Sequence, residues 1–223
     1  MISVIVPAYK ATKFIDECLD SLKGADILVG VDNCQETLDH LLTRTDIRLF
    51  FFEKNVGPYI IKNTLVDRAR FDNILFFDAD DVLAEGVLEK IEEALLPVDY
   101  VKLKYINFYT KITTEGNKMN DAVIAIKRPV FNKLNGFQPW RCAADTEFAY
   151  RLEYNKLKVK QLDCLAYHRR LHGANLTLAK ETGHGSPIRS QYVNLIAHCQ
   201  RANHWENPIN KQTDSYVTYS TAD

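Results

Sequence analysis

Ile74-Leu75-Phe76-Phe77-Asp78-Ala79-Asp80-Asp81 is the stretch on which the fold turns. Four apolar residues in a row read as a strand covered on both faces, the pattern of a parallel sheet. The run stops on three carboxylates within four positions. Carboxylates so close repel one another unless a cation or a helix N-terminus compensates them. Residues 85–95 follow with the apolar spacing of an amphipathic helix, so the acidic group sits in a strand-to-helix turn.

The same alternation runs backward to the first residue. Ile2 to Ala8 is a β-branched apolar run, followed by Ile15, Cys18, Leu19 and Leu22 at helical spacing, with Thr12 as a candidate cap and Gly24 past the end. Asp26 to Asp32 predicts a second buried strand, Glu36 to Thr43 a short helix, and Ile47 to Phe52 a third strand. Gly57-Pro58 opens a helix reaching about Arg68. This order predicts an α/β fold with a Rossmann-like, mostly parallel central sheet flanked by helices. Open sheets of that kind bind ligands beyond the carboxyl ends of their strands. Tyr9, Asp32 and Asp78 all fall there.

The second half is less regular. Val101 to Phe108 and Ala122 to Lys127 read as strands, and Asp145 to Asn155 and Pro187 to Asn203 as helices. The expected organisation is a single domain over 1–206, split into halves at about residue 99. From Asn207 to the last residue the chain is polar and aperiodic, as in a frayed terminus or linker.

The 223 residues are 46% hydrophobic and 26% charged, ordinary values for a soluble globular protein. Cys18, Cys34, Cys142, Cys164 and Cys199 are odd in number and lack CxxC spacing, which suits reduced thiols. No signal peptide or membrane-length apolar run is visible, so the expected location is cytoplasmic. Asn175-Leu176-Thr177 matches a glycosylation sequon without a secretory context. Residues 1–99 carry 10 basic and 19 acidic side chains, and residues 100–223 carry 18 and 10, giving net charges of −9 and +8. The split is either an accident of surface composition or a basic half suited to an anionic acceptor or a diphosphate.

Two readings of the acidic group follow from chemistry. Asp80 or Asp81 could cap the helix beginning near Glu85. Alternatively, the carboxylates hold Mn²⁺ or Mg²⁺ together with phosphate oxygens of a substrate.

A set of further motifs resembles the family 2 glycosyltransferases of the GT-A fold. Val4-Ile5-Val6-Pro7-Ala8-Tyr9 is similar to their opening strand and nucleotide-binding turn. Asn55-Val56-Gly57-Pro58 with Lys62-Asn63 is similar to a donor-side segment in which Arg is usual where Lys62 stands. Asp78-Ala79-Asp80-Asp81 is similar to the family's metal motif. Asn135-Gly136-Phe137 with Ala144-Asp145-Thr146-Glu147 resembles the acceptor-side segment, and Arg170-Leu171-His172 a late motif. These matches keep the family's order over roughly residues 2–177. Departures are Lys10 where Asn is common, Asn33-Cys34 after Asp32, and Ala144 in place of Glu.

The resemblance implies transfer of a sugar from a nucleotide diphosphate-sugar, UDP-sugar first, to a hydroxyl of a glycan, glycoprotein or glycolipid. A nucleic-acid acceptor is conceivable but has no specific motif behind it. It implies a donor site of Pro7, Ala8, Tyr9, Asp32, Asn55, Lys62, Asp78, Ala79 and Asp80, with Asp32 toward the base. It implies metal ligands among Asp78, Asp80 and His172, and Asp145 as the base of an inverting reaction. Bland alternatives exist for each: Asp145 as the N-cap of its helix, His172 as an ordinary hydrogen-bonding residue, Trp140 and Tyr59 as core rather than stacking platforms. His168 and His184 are fallback ligands. Competing functions are a non-catalytic nucleotide-sugar or glycan-binding module and a sugar-phosphate nucleotidyltransferase. The latter usually has a Gly-rich loop where Tyr9-Lys10-Ala11-Thr12 stands.

Overall fold

The computed structural model describes residues 1–109, 112–113, 118–209 and 212–219. In chain order the elements are β1 (Ile2–Ala8), α1 (Ile15–Ser21), β2 (Asp26–Asp32), α2 (Gln35–Leu41), β3 (Arg48–Phe52), α3 (Pro58–Val66) and β4 (Asn73–Phe76). There follow β5 (Val82–Leu83), α4 (Val87–Leu95), β6 (Tyr100–Tyr109), β7 (Ile112–Thr113), β8 (Lys118–Lys127), α5 (Arg128–Lys133), α6 (Ala144–Tyr154), β9 (Val159–Arg170), α7 (Pro187–Ala202) and β10 (Tyr216–Thr218).

One sheet runs through the described residues in the order β10-β3-β2-β1-β4-β8-β6-β9-β5. Its β3-β2-β1-β4 portion is parallel, as the strand–helix alternation requires. Beyond β4 it turns mixed: β8 is antiparallel to both β4 and β6, while β9 is parallel to β6. The less regular half therefore extends the same sheet.

The alternation of side chains along each strand builds two cores. Val4, Val6, Val29, Val31, Leu75 and Phe77 meet the apolar stripes of α1, α2 and α4. On the opposite face Ile5, Leu28, Phe50 and Phe76 meet α3, α5 and α6. Gly30 lets α3 lie close to β2, since a Cβ there would stand 2.3 Å from Ile61 Cγ2.

Local signals were followed unevenly. Gly57, at φ +88°, precedes Pro58 at the start of α3, a backbone position suited to glycine. Thr12 does not cap α1. That helix starts at Ile15 with no side-chain cap, and the Thr12 hydroxyl instead donates to Glu36 at 3.2 Å. The stretch from Asn207 is not simply a frayed terminus or linker, because it contains β10, antiparallel to β3. Tyr216 there packs on Phe50 and Phe52, and Gln212 and Ser215 add side-chain hydrogen bonds to Asp67 and Glu53 that dock this polar segment onto the open sheet edge. All five cysteines are free thiols. No helix among the described residues is long and apolar enough to cross a membrane.

Candidate active site

The carboxyl ends of β1, β2 and β4 lie side by side because β1 pairs in parallel with both neighbours. Ala8 pairs with Val31, which sets Tyr9 beside Asp32, and Asp78 leaves the sheet on the other flank of β1. Pro7 and Ala8 are the last residues of β1, with Ala8 buried, while Tyr9 is half exposed at the rim.

Asp32 is buried, and its carboxylate is held by backbone. Oδ1 accepts the Val56 N–H at 2.7 Å and Oδ2 the Gly57 N–H at 3.0 Å. Burial pushes its pKa above the ordinary carboxylate value, against the pull of those two amides. Asn55 adds a bond from its Nδ2 to the Asp32 carbonyl at 3.3 Å. Arg141 then closes over the loop. It donates to the Asn55 carbonyl at 3.0 Å and to the Asn55 side-chain oxygen.

Lys62 extends from α3 under the sheet edge, with Nζ 3.3 Å from Asp78 Oδ1 and 3.4 Å from the Ala122 carbonyl. Burial raises the Asp78 pKa, the Lys62 ammonium lowers it, and the charges of Asp80 and Asp145 raise it again. Ala79 is half buried against the core on the α1 side.

Asp80 Oδ2 meets two donors, His172 Nε2 at 2.8 Å and Asn175 Nδ2 at 2.9 Å. The Ala174 N–H points to His172 Nδ1 at 3.3 Å, which places the imidazole proton on Nε2, facing Asp80. Asn175 also accepts the His172 N–H at 2.6 Å, so the late motif folds back onto the acidic turn. The sequon asparagine is therefore buried and occupied.

Arg170 fixes this turn from behind. Its N–H donates to Asp81 Oδ1 at 2.9 Å, its Nε to the Asp80 carbonyl at 3.0 Å, and its guanidinium reaches Glu17. The rings of Phe14 and Phe108 cover it at 4.7 and 4.4 Å. Asp81 is buried, and its pKa is driven up by burial and then by Asp80 and Asp78. Neither Asp80 nor Asp81 caps α4, whose N-cap position is Gly86.

Asp145 lies in the first turn of α6, one residue inside the helix, with Ala143 at the N-cap position. The capping alternative is thus excluded. Its Oδ1 accepts the Tyr59 hydroxyl at 2.9 Å. Below it, Asn63 clasps both backbone groups of Phe137, at 2.8 and 2.9 Å, and buried Arg151 joins Glu147 to the Leu134 and Gly136 carbonyls. The Asn135-Gly136-Phe137 segment is accordingly a brace beneath Asp145. Trp140 stacks on Tyr192, with centroids 4.6 Å apart. His168 lies in β9 paired with Val82, its ring edge-on to Phe108, and His184 is exposed.

The donor set can be tested for a divalent cation on chemical grounds. Among the described residues, no three His, Cys, Asp or Glu side chains form a ready-made metal cluster. Asp80 Oδ2 and His172 Nε2, 2.8 Å apart, have a spacing that suits neighbouring ligands on one cation with bonds of about 2.1 Å. Binding would need the imidazole proton to move to Nδ1, at the cost of the long contact with Ala174. Mg²⁺ and Mn²⁺ favour carboxylate, phosphate and water oxygens, so Asp80 fits such an ion, and the His172 nitrogen beside it suits Mn²⁺ better than Mg²⁺. Asp78, tied to Lys62, is less free to join them.

Sequence reasoning missed Arg141 and Glu17, read Asn175 only as part of a sequon, and cited Arg170 only as part of a motif. Arg141 and Asn175 act through loops that meet the site in three dimensions, and no periodic pattern marks such residues. Tyr59 was weighed as a stacking platform or core, without its tie to Asp145.

The sequence model of the family described as Glycosyl transferase family 2 matches residues 3–172. An uncharacterized glycosyltransferase of Haemophilus influenzae is 25% identical over 74% of this chain and 72% of its own length. The glycosyltransferase GlyG of Streptococcus pneumoniae is 24% identical over 52% of this chain and 42% of its own. Among solved structures, Staphylococcus aureus TarS 1-349 in complex with UDP-GlcNAc superposes with a TM-score of 0.63 at 18% identity, covering 77% of this chain and 58% of that one. The chain thus spans only part of the relatives it matches, and the structural likeness concerns the fold.

Proposed function

The chain belongs to glycosyl transferase family 2, and we propose that it moves a sugar from a nucleotide diphosphate-sugar to an acceptor hydroxyl, with inversion at the anomeric carbon. The observation that carries this reading is the Asp80–His172 pair in the turn after β4, on the same sheet as the backbone-held Asp32. In this reading Asp32 serves the donor, Asp80 and His172 the cation, and Asp145 the acceptor proton. UDP-sugar is the proposed donor, with UDP-GlcNAc first because structures of the similarly folded TarS are described in complex with UDP-GlcNAc and with UDP.

The segment around Asp32, Asn55 and Arg141 takes the base and ribose, together with Pro7, Ala8 and Tyr9 at the end of β1. Asp80 and His172 hold Mn²⁺ or Mg²⁺. When bound, the cation offsets the negative charge that develops on the leaving diphosphate. Lys62 orients Asp78 and opposes the rise in its pKa that burial causes. Asp145 accepts the proton of the acceptor hydroxyl as its oxygen bonds to the anomeric carbon and the bond to the diphosphate oxygen breaks. A base on the face opposite the leaving group gives inversion. The acceptor is a glycan or glycoconjugate that approaches over α6, on the side of the basic second half.

A donor screen tests the reading: UDP-, GDP- and dTDP-sugars, each with and without Mn²⁺, followed by nucleotide release and thermal shift. A UDP-sugar should raise the melting temperature in a Mn²⁺-dependent way. Failure of every nucleotide to do so in the presence of metal would falsify it.

A further inference from the structure

We propose that Tyr59 is the positioning residue for Asp145, holding one carboxylate oxygen by its hydroxyl so that the other faces the acceptor. The proposal rests on the reading of Asp145 as the base. Tyr59 is buried, and its ring is set by Phe137 at 5.5 Å between centroids and by Lys62 Nζ at 5.8 Å from its own. Only its oxygen reaches the site, at 2.9 Å from Asp145 Oδ1. Burial, and then the charge of Asp145, push the phenol pKa well above its ordinary value, so this oxygen is a donor under any working condition. A donor to Oδ1 fixes the plane of the carboxylate and leaves Oδ2 outside this bond as the acceptor of a proton.

The setting gives this bond more than local meaning. Tyr59 and Lys62 are three residues apart and share one face of α3. That helix touches the site at three places: the Gly57 N–H on Asp32, the Tyr59 hydroxyl on Asp145, and the Lys62 ammonium on Asp78. One helix and its N-cap residue therefore register the donor-side carboxylates against the acceptor-side one. Among the described residues the Asp145 carboxylate takes its side-chain hydrogen bond from α3 and not from its own helix. Asp145 is thereby set relative to the diphosphate end and not merely relative to its own helix.

The replacement that removes only the oxygen is Tyr59→Phe, which keeps the ring packing. A base displaced by a fraction of an ångström loses about ten- to hundredfold in turnover. We expect kcat to fall by that factor, with KM for the nucleotide-sugar within about twofold of wild type, since nothing on the donor side is removed. A double-mutant cycle with Asp145→Asn supplies the readout that a purely structural role would not move. If Tyr59 acts through Asp145, Tyr59→Phe costs nothing further in the Asp145→Asn background. An unchanged kcat in Tyr59→Phe, a loss confined to donor KM, or losses that multiply in the double variant would each overturn the proposal. Full turnover in Asp145→Asn alone would sink the underlying reading of the base, and that single variant tells the two failures apart. Should Tyr59→Phe lower the melting temperature, the cycle still decides, because unfolding multiplies in both backgrounds.

Discussion

The ammonium of Lys62 lies 3.3 Å from Asp78 Oδ1, with the lysine side chain 2% exposed and the aspartate 37%. The two ends of this pair face different surroundings. If Asp78 loses its charge, Lys62 is left with the Ala122 carbonyl and two aromatic rings around a buried cation. If Lys62 loses its charge, Asp78 still reaches water along one edge. Asp78→Asn is therefore expected to cost about 3 kcal/mol or more, as for an uncompensated buried ion, and Lys62→Met about 1 kcal/mol, as for a pair whose remaining charge is solvated. Urea denaturation of the two variants measures both. A larger loss for Lys62→Met would mean that the aspartate is the more dependent partner.

His172 and Asp80 make a prediction about metal. If both contact the cation, His172→Ala should weaken Mn²⁺ binding in the presence of UDP by about tenfold or more, at least what loss of an outer-shell partner costs. Asp80→Asn should remove metal-dependent donor binding altogether. Asn175→Ala, which frees Asp80 Oδ2 of one donor and loosens the His172 loop, should have a smaller effect. Calorimetric titration of Mn²⁺ into the UDP complex reads all three. An unchanged curve for His172→Ala removes the histidine from the ligand set.

Asp32 carries a prediction about pH. Burial raises its folded-state pKa above the ordinary value of 3.8, so the folded state holds the proton more tightly than the unfolded chain. Its contribution to stability is then full below pH 3.8 and declines as pH rises through the higher folded value. Asp32→Asn has no such titration. The variant will be less stable at every pH, because its amide nitrogen cannot accept an N–H from the Val56-Gly57 loop. Its deficit relative to wild type should nevertheless shrink as pH rises above 3.8, as measured by urea unfolding without nucleotide. A deficit that grows with pH would show the Asp32 carboxylate to be favoured, not penalised, by its site.

These relationships divide by how much of them could be seen in the sequence. The strands β1 to β4 and the helices between them announce themselves, because a strand covered on both faces needs an unbroken apolar run. Asp32, Asp78 and Asp80 were legible for the same reason: each follows such a run, and the parallel pairing puts the ends together. β9 was not foreseen, since its first half is polar and exposed and it carries Arg169, Arg170 and His168 among its apolar residues. β10 was hidden by brevity, with three residues held by Tyr216 and the free edge of β3. The partners of the site residues were the least visible. Asn175 sits in what looks like a sequon, and Tyr59 in what looks like a helix core, because a side chain's partner across the fold leaves no periodic trace.

The place where α3 meets the sheet makes the last prediction. Gly30 in β2 faces this helix, and a Cβ there would stand 2.3 Å from Ile61 Cγ2, with Leu65 Cδ1 and Phe52 Cε2 each at 3.1 Å. Real side chains do not approach so closely, so Gly30→Ala must push α3 outward or distort β2. Overpacking of this kind costs about 1–3 kcal/mol. Because α3 carries Tyr59 and Lys62 and follows directly on Gly57, the displacement reaches Asp145, Asp78 and Asp32 together, and both donor affinity and turnover should fall. Ile61→Ala removes the atom in the way. Alone it leaves a cavity and costs about 2–5 kcal/mol. Combined with Gly30→Ala, the new methyl fills part of that cavity, so the double variant should be more stable than the sum of the two losses by about 1 kcal/mol or more. Thermal unfolding of the four proteins measures this coupling, and donor binding should recover with it. Strict additivity would mean that Gly30 does not set the seat of α3, and the three tethers would then need another explanation.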